Sequence, residues 1–127
     1  MTEKKLYSTG TVWEEKVGYS RAVQAGNMIF ISGTTAVTDG KVVGIDNPYE
    51  QTKIILEKIK TALEQFNSSL KDVVRVRIFV TKIDHFEQVG SVLGEYFKDI
   101  KPAMTLMEVS AFVVREMLIE IEADAVI

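Results

Sequence analysis

The sequence predicts an α+β fold in which two helices cover one face of a mixed β-sheet. Two observations support this fold class. Apolar side chains recur at every second position over residues 73–80 and 116–125, as in half-buried strands, whereas two other segments repeat them at helical spacing. The chain has 127 residues, of which 46% are hydrophobic and 26% charged, so we expect one globular domain over residues 1–127.

Three strands are predicted before the first helix. A short edge strand starts at Leu6-Tyr7, a second strand covers residues 17–25, and a third covers residues 28–37 after a turn at Gly26-Asn27. Asp39-Gly40 follows the third strand and is typical of a two-residue hairpin, since both central residues of that turn need positive φ.

The two helices are indicated by their start signals and by their buried stripes. Asn47 is a favourable N-cap, Pro48 suits the first helical position, and Glu50 completes a capping-box pattern. This helix is expected to end near Asn67-Ser68, and the second helix to start at Asp84 with a similar capping pattern. The predicted stripes are Ile55, Ile59, Ala62 and Phe66 in the first helix and Phe86, Val89, Leu93, Tyr96 and Phe97 in the second.

The late strands have a second face that is unusually apolar. Pro102 opens a strand over residues 103–109, in which Met104 and Leu106 share one face. The core face of the strand over 73–80 is predicted to consist of Val74, Val76, Ile78 and Val80. The sheet face that the helices do not cover is predicted to include Met104, Leu106, Phe79 and Leu118. Such a face is too apolar to be left in water, which predicts oligomerisation through it.

Composition and short motifs argue against several functions. The net charge of -3 argues against nucleic acid as the main partner, because such binding rests on clustered Lys and Arg. The sequence has no cysteine, no apolar signal core and no apolar run long enough for a membrane, so we expect a soluble cytoplasmic protein. His85 is the only histidine, which argues against a metal site, and no phosphate-loop motif is present.

Two polar patterns in the strands have simple structural interpretations. Glu120, Glu122 and Asp124 alternate with apolar residues, and such acids usually face water. Arg75 and Arg77 form a short basic stripe that suits solvent or a subunit interface. Composition and spacing alone therefore predict a soluble α+β oligomer and no particular activity.

Five segments occur in an order that is shared with one known family. They are 18–23 (GYSRAV), 28–33 (MIFISG), 72–80 (DVVRVRIFV), 102–105 (PAMT) and 119–123 (IEIEA). On these segments, which are spread over nearly the whole chain, the protein resembles the Rid (reactive intermediate deaminase) family, also called the YjgF family.

The resemblance implies a chorismate-mutase-like α+β fold and a homotrimer with a central barrel and three clefts between neighbouring subunits. It also implies a reaction, because catalytic members hydrolyse enamine or imine intermediates to 2-keto acids and ammonia without a metal or cofactor. In such members an arginine after the Pro-Ala pair binds the substrate carboxylate. A glutamate on the last strand helps to position or activate water.

Several site residues carry over to this chain and others do not. By resemblance, Tyr19 and Glu120 are the catalytic residues, and Ser32 and Gly33 line the cleft. Met104 stands in place of the arginine. The other expected ligand-binding positions are Gly90, where an asparagine is common, Leu106, two residues after Met104, and Arg21, which is considered as a replacement cation.

Three functional hypotheses follow from the resemblance. The first is a homotrimer that binds small, partly apolar metabolites in its clefts with deaminase activity weak or lost, because Met104 offers a soft apolar wall instead of a cation. The second is an active enamine or imine deaminase on a less acidic substrate, using Glu120 and Tyr19. The third is an endoribonuclease or translation inhibitor, against which the charge and the single histidine argue.

Overall fold

A computed structural model describes residues 2–127. Its helices are α1 (Val12–Val17), α2 (Pro48–Glu64) and α3 (Phe86–Phe97), with short 3-10 turns at Leu70–Asp72 and Ile83–His85. Its strands are β1 (Lys4–Tyr7), β2 (Ala22–Ala25), β3 (Met28–Thr34), β4 (Val37–Thr38), β5 (Lys41–Val42), β6 (Val73–Val80), β7 (Ala103–Glu108) and β8 (Ile119–Val126).

Six of the strands form one mixed sheet in the order β1-β2-β3-β8-β6-β7. Strands β6 and β7 pair in parallel, because α3 crosses between them, and the other neighbours are antiparallel. Strands β4 and β5 form the predicted hairpin, in which Asp39 and Gly40 have φ values of 52° and 77°. The sheet therefore has two edges, β1 and β7, that are not paired within the described residues.

Helices α2 and α3 cover the same face of the sheet. The side chain of Asn47 accepts a hydrogen bond from the backbone N–H of Glu50, and Pro48 is the first helical residue, as the sequence predicts. Helix α2 packs on β3, β8 and α3. The core consists of buried residues from these elements, among them Ile29, Ile31, Ile55, Ile59, Leu63, Ile78, Val89, Leu93, Ile119 and Ile121.

The pairing of β7 with β6 changes the prediction of which side of the sheet Met104 and Leu106 lie on. Met104 pairs with Val76 and Leu106 with Ile78, and both partners are fully buried under the helices. Met104 and Leu106 therefore belong to the helix-covered side of the sheet, and Phe79 belongs to the opposite, open side. The alternation along β7 is as predicted, but the grouping of Met104 with Phe79 is wrong, because the parallel pairing with β6 decides which face the helices cover.

Three further details differ from the sequence prediction. Val74 is 45% exposed, since a bulge between Val73 and Arg75 turns it away from the core. Phe86 is 55% exposed at the start of α3, where no side chain of the described residues makes the expected capping bond. The expected strand over 17–25 is shorter, since β2 begins only at Ala22.

The segment before β2 contains the helix α1, which the sequence prediction did not include. The hydroxyl of Thr11 accepts a hydrogen bond from the N–H of Glu14, and Gly18 ends the helix with φ of 85°. This pattern of Thr11, Glu14 and Gly18 is a usable start and stop signal. None of the helices over residues 2–127 is both long and apolar enough to cross a membrane.

Candidate functional site

The candidate site is centred on a bulge in β3. Ile31 pairs with Ala123 and Thr34 with Ile121, so three steps along β3 match two steps along β8. Ser32 lies in the bulge, where its hydroxyl donates a hydrogen bond of 2.6 Å to the carbonyl oxygen of Ser20. The hydroxyl of Ser32 is therefore already used to hold the loop before β2 against β3.

Gly33 lies in the same bulge and is in close contact with Glu120 of β8. A Cβ atom at position 33 would lie 2.8 Å from the carboxyl carbon of Glu120 and 2.9 Å from its Oε2. Real Cβ atoms do not approach other atoms this closely, so the carboxyl group occupies space that only glycine leaves free.

The Glu120 carboxyl is half-buried on the open side of the sheet, where Glu120 pairs with Phe79. Burial is the main cause that raises its pKa, the charge of Arg21 opposes this rise, and the charge of Glu122 adds to it. Glu120 is therefore more readily protonated than an ordinary glutamate. A carboxyl group of this kind suits proton transfer.

Arg21 connects Glu120 and Gly33 to Tyr19. Its Nη2 donates a hydrogen bond of 2.7 Å to the carbonyl oxygen of Gly33, and its guanidinium carbon lies 5.6 Å from the centre of the Tyr19 ring. The Nε of Arg21 is buried and has no hydrogen-bond partner among residues 2–127. Tyr19 itself is 40% exposed in the loop that follows α1. Arg21 therefore has an unused buried donor, and its charge acts on the Glu120 carboxyl.

The remaining predicted site residues lie elsewhere in the chain. Met104 and Leu106 are on β7, two strands beyond β8 and on the opposite face from Glu120, so roughly 10 Å of sheet separates the two strands. Met104 is 43% exposed. Gly90 is on α3, where a Cβ atom would meet nothing within 4 Å. One chain thus brings Tyr19, Arg21, Ser32, Gly33 and Glu120 together, and leaves Gly90, Met104 and Leu106 apart from them.

The open side of the sheet combines apolar and charged residues. Phe30 is 41% exposed, Met107 48% and Val126 37%. On the same side, Nη1 of Arg77 lies 3.3 Å from a carboxylate oxygen of Glu122 and 3.3 Å from one of Asp124. This side has the mixture of apolar and paired polar groups that is found in subunit interfaces.

A groove on the helix-covered side was not predicted from the sequence. It has a volume of about 510 Å³ between α2 and strands β1–β3, and Arg21 and Lys58 both line it. The Nζ of Lys58 donates hydrogen bonds of 2.9 Å and 3.0 Å to the carbonyl oxygens of Thr35 and Val37. The sequence contains a signal for the partial burial of Lys58, because Lys58 lies three residues after Ile55 and four before Ala62, on the buried side of α2.

Comparison with known proteins supports the resemblance seen in the sequence. The family model described as Endoribonuclease L-PSP matches residues 12–127. A RutC family protein of Pyrococcus abyssi is 39% identical over 109 residues, which are 84% of this chain and 84% of that protein. A Mycobacterium tuberculosis protein of known crystal structure, from the highly conserved YjgF/YER057c/UK114 family, is 38% identical with a TM-score of 0.90 over 98% of this chain and 100% of that one.

The chain belongs to the Rid/YjgF family. A Rid-family protein of Yersinia pestis has the same fold, with 27% identity and a TM-score of 0.87 over 98% of this chain and 100% of that chain. These matches confirm the predicted family and the predicted α+β fold.

The side chains of this Rid-family chain form no candidate metal site within residues 2–127. No group of three His, Asp or Glu side chains is placed so that it could hold a metal ion. Asp84 and His85, which are adjacent in sequence, lie in the 3-10 turn before α3 and are not among the residues around Glu120.

Proposed function

We propose that this protein is a cytoplasmic, single-domain Rid-family homotrimer that binds small, partly apolar metabolites in clefts between its subunits. In this proposal, enamine or imine deaminase activity toward 2-imino acids is weak or lost. The observation that carries the proposal is the residue at position 104. Where the family resemblance implies an arginine for the substrate carboxylate, this chain has a partly exposed methionine.

The chemistry of Met104 explains the expected loss of activity. A thioether accepts hydrogen bonds only weakly and donates none, so it cannot hold a carboxylate. A charge-assisted hydrogen bond contributes about 1.5–3 kcal/mol, and a bidentate arginine makes two of them. Met104, with Leu106 next to it on the same face, instead forms an adaptable apolar wall.

Assembly into a trimer brings the two groups of candidate residues together in this proposal. Within one chain Met104 is far from Glu120, and the resemblance implies clefts between neighbouring subunits. The unpaired edge β7 and the partly apolar open side, with Phe30 and Met107, support such an assembly. In the trimer, Tyr19, Arg21 and Glu120 of one subunit face Met104 of the next.

The direct test is a comparison with a family member that has the arginine. Freshly generated 2-iminobutyrate or 2-aminoacrylate is supplied to both proteins, and ammonia release is followed. We expect a kcat/KM for this chain that is at least about tenfold lower, the effect of one lost charge-assisted bond. Equal turnover by the two proteins would contradict the proposal.

A second function is favoured by one observation, the raised pKa of the half-buried Glu120. A carboxyl of this kind, linked to Tyr19 through Arg21, suits an active deaminase that hydrolyses less acidic enamines or imines. A screen of neutral imines tests this function, because Glu120→Ala and Glu120→Gln are expected to abolish any hydrolysis found. A Glu120→Ala variant that keeps the activity would exclude it.

The endoribonuclease role named in the family model has weaker support. Of the two strand arginines, Arg77 is paired with Glu122 and Asp124 and does not extend a basic surface. RNA cleavage that persists through purification and disappears on a point mutation would be needed to favour that function.

A further inference from the structure

The groove between α2 and strands β1–β3 is large enough for a small organic molecule. Its volume of about 510 Å³ lies within the common range for ligand pockets, roughly 300–1,000 Å³. Apolar side chains from both layers form part of its lining, among them Ile31 of β3 and Ile54 and Ala62 of α2. Tyr7 of β1 and Tyr96 of α3 add aromatic rings to the lining. The groove can thus bury an apolar or aromatic body.

Three cations also line this groove, and Lys53, which lies 5.6 Å from the centre of the Tyr49 ring, is one of them. The other two, Arg21 and Lys58, are the ones considered for ligand binding. Arg21 has its Nε buried without a hydrogen-bond partner in residues 2–127. Lys58 is half-buried, and within residues 2–127 its Nζ donates to the carbonyl oxygens of Thr35 and Val37 and to no other group. Burial, and after it the charge of Arg21, lowers the pKa of Lys58, which indicates that the two positive charges act on one another.

Neither Arg21 nor Lys58 forms an ion pair within 4 Å in the part of the chain that is described, although the charge of Arg21 acts on the Glu120 carboxyl. The ion pairs there both involve Arg77, on the other side of the sheet. Glu57 lines the groove, but it accepts a hydrogen bond of 2.7 Å from the hydroxyl of Tyr96. Glu50 also lines it, exposed in the first turn of α2. Two partly buried cations that repel one another and form no close ion pair are unfavourable, and a bound anion would relieve this.

We propose that this groove is a binding site for small organic carboxylates with an apolar or aromatic body, held by Arg21 and Lys58. The carboxylate binds to the guanidinium of Arg21 and to the Lys58 ammonium, while the apolar body packs on Ile31, Ile54 and Ala62. The site lies on the helix-covered side of the sheet and does not include Met104 or Glu120. The groove shares Arg21 with the residues around Glu120, so its test uses Lys58 and Thr61, which line the groove and have no role in the proposed clefts.

Calorimetric titration with benzoate tests this site on the intact protein. Benzamide, the neutral analogue, and inorganic phosphate, an anion without an apolar body, serve as reference ligands. We expect benzoate to bind at least about tenfold more tightly than either, because only benzoate uses both the cations and the apolar lining.

Variants of α2 locate the bound carboxylate. Lys58→Met is expected to weaken benzoate binding about tenfold or more, whereas Lys60→Met, the same change at an exposed position outside the groove, leaves it unchanged. Thr61 is exposed and lines the groove, so both of its charged variants should fold. Thr61→Glu should weaken binding severalfold by repulsion, and Thr61→Lys should preserve or strengthen it.

Three results would overturn the proposal. The first is benzoate binding no tighter than that of benzamide, and the second is equal affinity in wild type, Lys58→Met and Thr61→Glu. The third is an affinity that rises in Met104→Arg and is unaffected by Lys58→Met, because this would place the carboxylate in the intersubunit cleft. Because Lys58 and Thr61 have no role in the cleft, failure here leaves the deaminase comparison intact.

Discussion

At the scale of single residues, the close contact between Gly33 and Glu120 determines where the candidate carboxyl lies. The carboxyl group rests over the backbone of Gly33, and Arg21 bonds to the carbonyl oxygen of the same residue. The position and the raised pKa of Glu120 therefore depend on the absence of a side chain at position 33.

Gly33→Ala is expected to move the Glu120 carboxyl and to leave the fold intact. The new Cβ meets the far end of a flexible side chain, so the free energy of unfolding should fall by only about 1 kcal/mol. The displaced carboxyl gains water, and its pKa should fall toward the ordinary value, which a carbon-detected NMR titration measures. Gly94→Ala is the control, since its Cβ meets nothing within 4 Å and should stabilise α3 by up to about 1 kcal/mol. An unchanged pKa of Glu120 in Gly33→Ala would contradict the assigned contact.

Glu14, in contrast, is a carboxylate with a structural role. Burial raises its pKa, but hydrogen bonds from the hydroxyls of Ser8, Thr9 and Thr11 and from the N–H of Thr9 outweigh this and lower the pKa to about 2. With four hydrogen bonds to its carboxylate, Glu14 fixes the loop that leads into α1.

Glu14→Gln should lower the free energy of unfolding by about 1–3 kcal/mol at neutral pH. Because the folded pKa lies below the ordinary value of 4.5, this stabilisation is complete above that pH and is lost as the pH falls toward about 2. Urea unfolding of both proteins should therefore show a constant difference at neutral pH that shrinks in acid. Glu15→Gln, at the exposed neighbouring position, should have little effect. A wild-type advantage that grows in acid would exclude this role.

At the scale of elements, helix α2 positions β8 through one buried side chain. The amide of Gln51 donates to the carbonyl oxygens of Gly44 and Glu116 and accepts from the N–H of Leu118. Leu118 immediately precedes β8, which carries Glu120 two residues later. Gln51 thus joins the start of α2 to the start of the strand that holds the candidate carboxyl.

Gln51→Leu should lower the free energy of unfolding by about 3 kcal/mol, because three part-buried backbone groups lose their partner. Gln51→Glu keeps the acceptor for Leu118 but places a buried carboxyl against two carbonyl oxygens, so it should also be destabilising. Thermal unfolding measures both variants against Gln88→Leu, a change at an exposed position on α3 that should have little effect. If Gln51→Leu is as stable as Gln88→Leu, α2 does not hold β8 in this way.

At the scale of the whole molecule, the open side of the sheet is the expected trimer interface. In the proposed assembly, Phe30 and Met107 become buried between subunits. Phe30→Glu and Met107→Glu should therefore shift the protein toward single chains, because a charge cannot be buried there without a partner. Light scattering measures the mass, and Val113→Glu is the control, since Val113 is 83% exposed in a loop. A wild-type protein that is a single chain at micromolar concentration would contradict the proposed clefts.

The elements that were predicted correctly are those whose capping or turn residues are neighbours in the sequence. The start of α2 follows from Asn47 and Pro48, and the hairpin follows from Asp39-Gly40, since capping and turn geometry depend only on neighbouring residues. The bulge that exposes Val74 and the face of Met104 depend on which strand pairs with which, and alternation along one strand does not contain that information.

The candidate site was predictable only in part for the same reason. The family resemblance named Tyr19, Ser32, Gly33 and Glu120, and Arg21 was considered beside them as a replacement cation. These residues lie together, but the separation of Met104 from them follows only from the sheet order. The sequence does not predict the groove with Lys58, because helical spacing identifies the buried stripe of α2 but does not show which polar side chains beside that stripe line a groove. The roles of all these residues stay predictions.

The central claim is that Met104 stands where the family resemblance implies the carboxylate-binding arginine of the proposed cleft. The most direct measurement is the rate of 2-iminobutyrate hydrolysis by wild type, Met104→Arg, Met104→Leu and Val113→Arg. We predict a kcat/KM that rises about tenfold or more in Met104→Arg alone, because only this variant places a carboxylate-binding cation in the cleft. Rapid hydrolysis by the wild type that Met104→Arg leaves unchanged would contradict the claim.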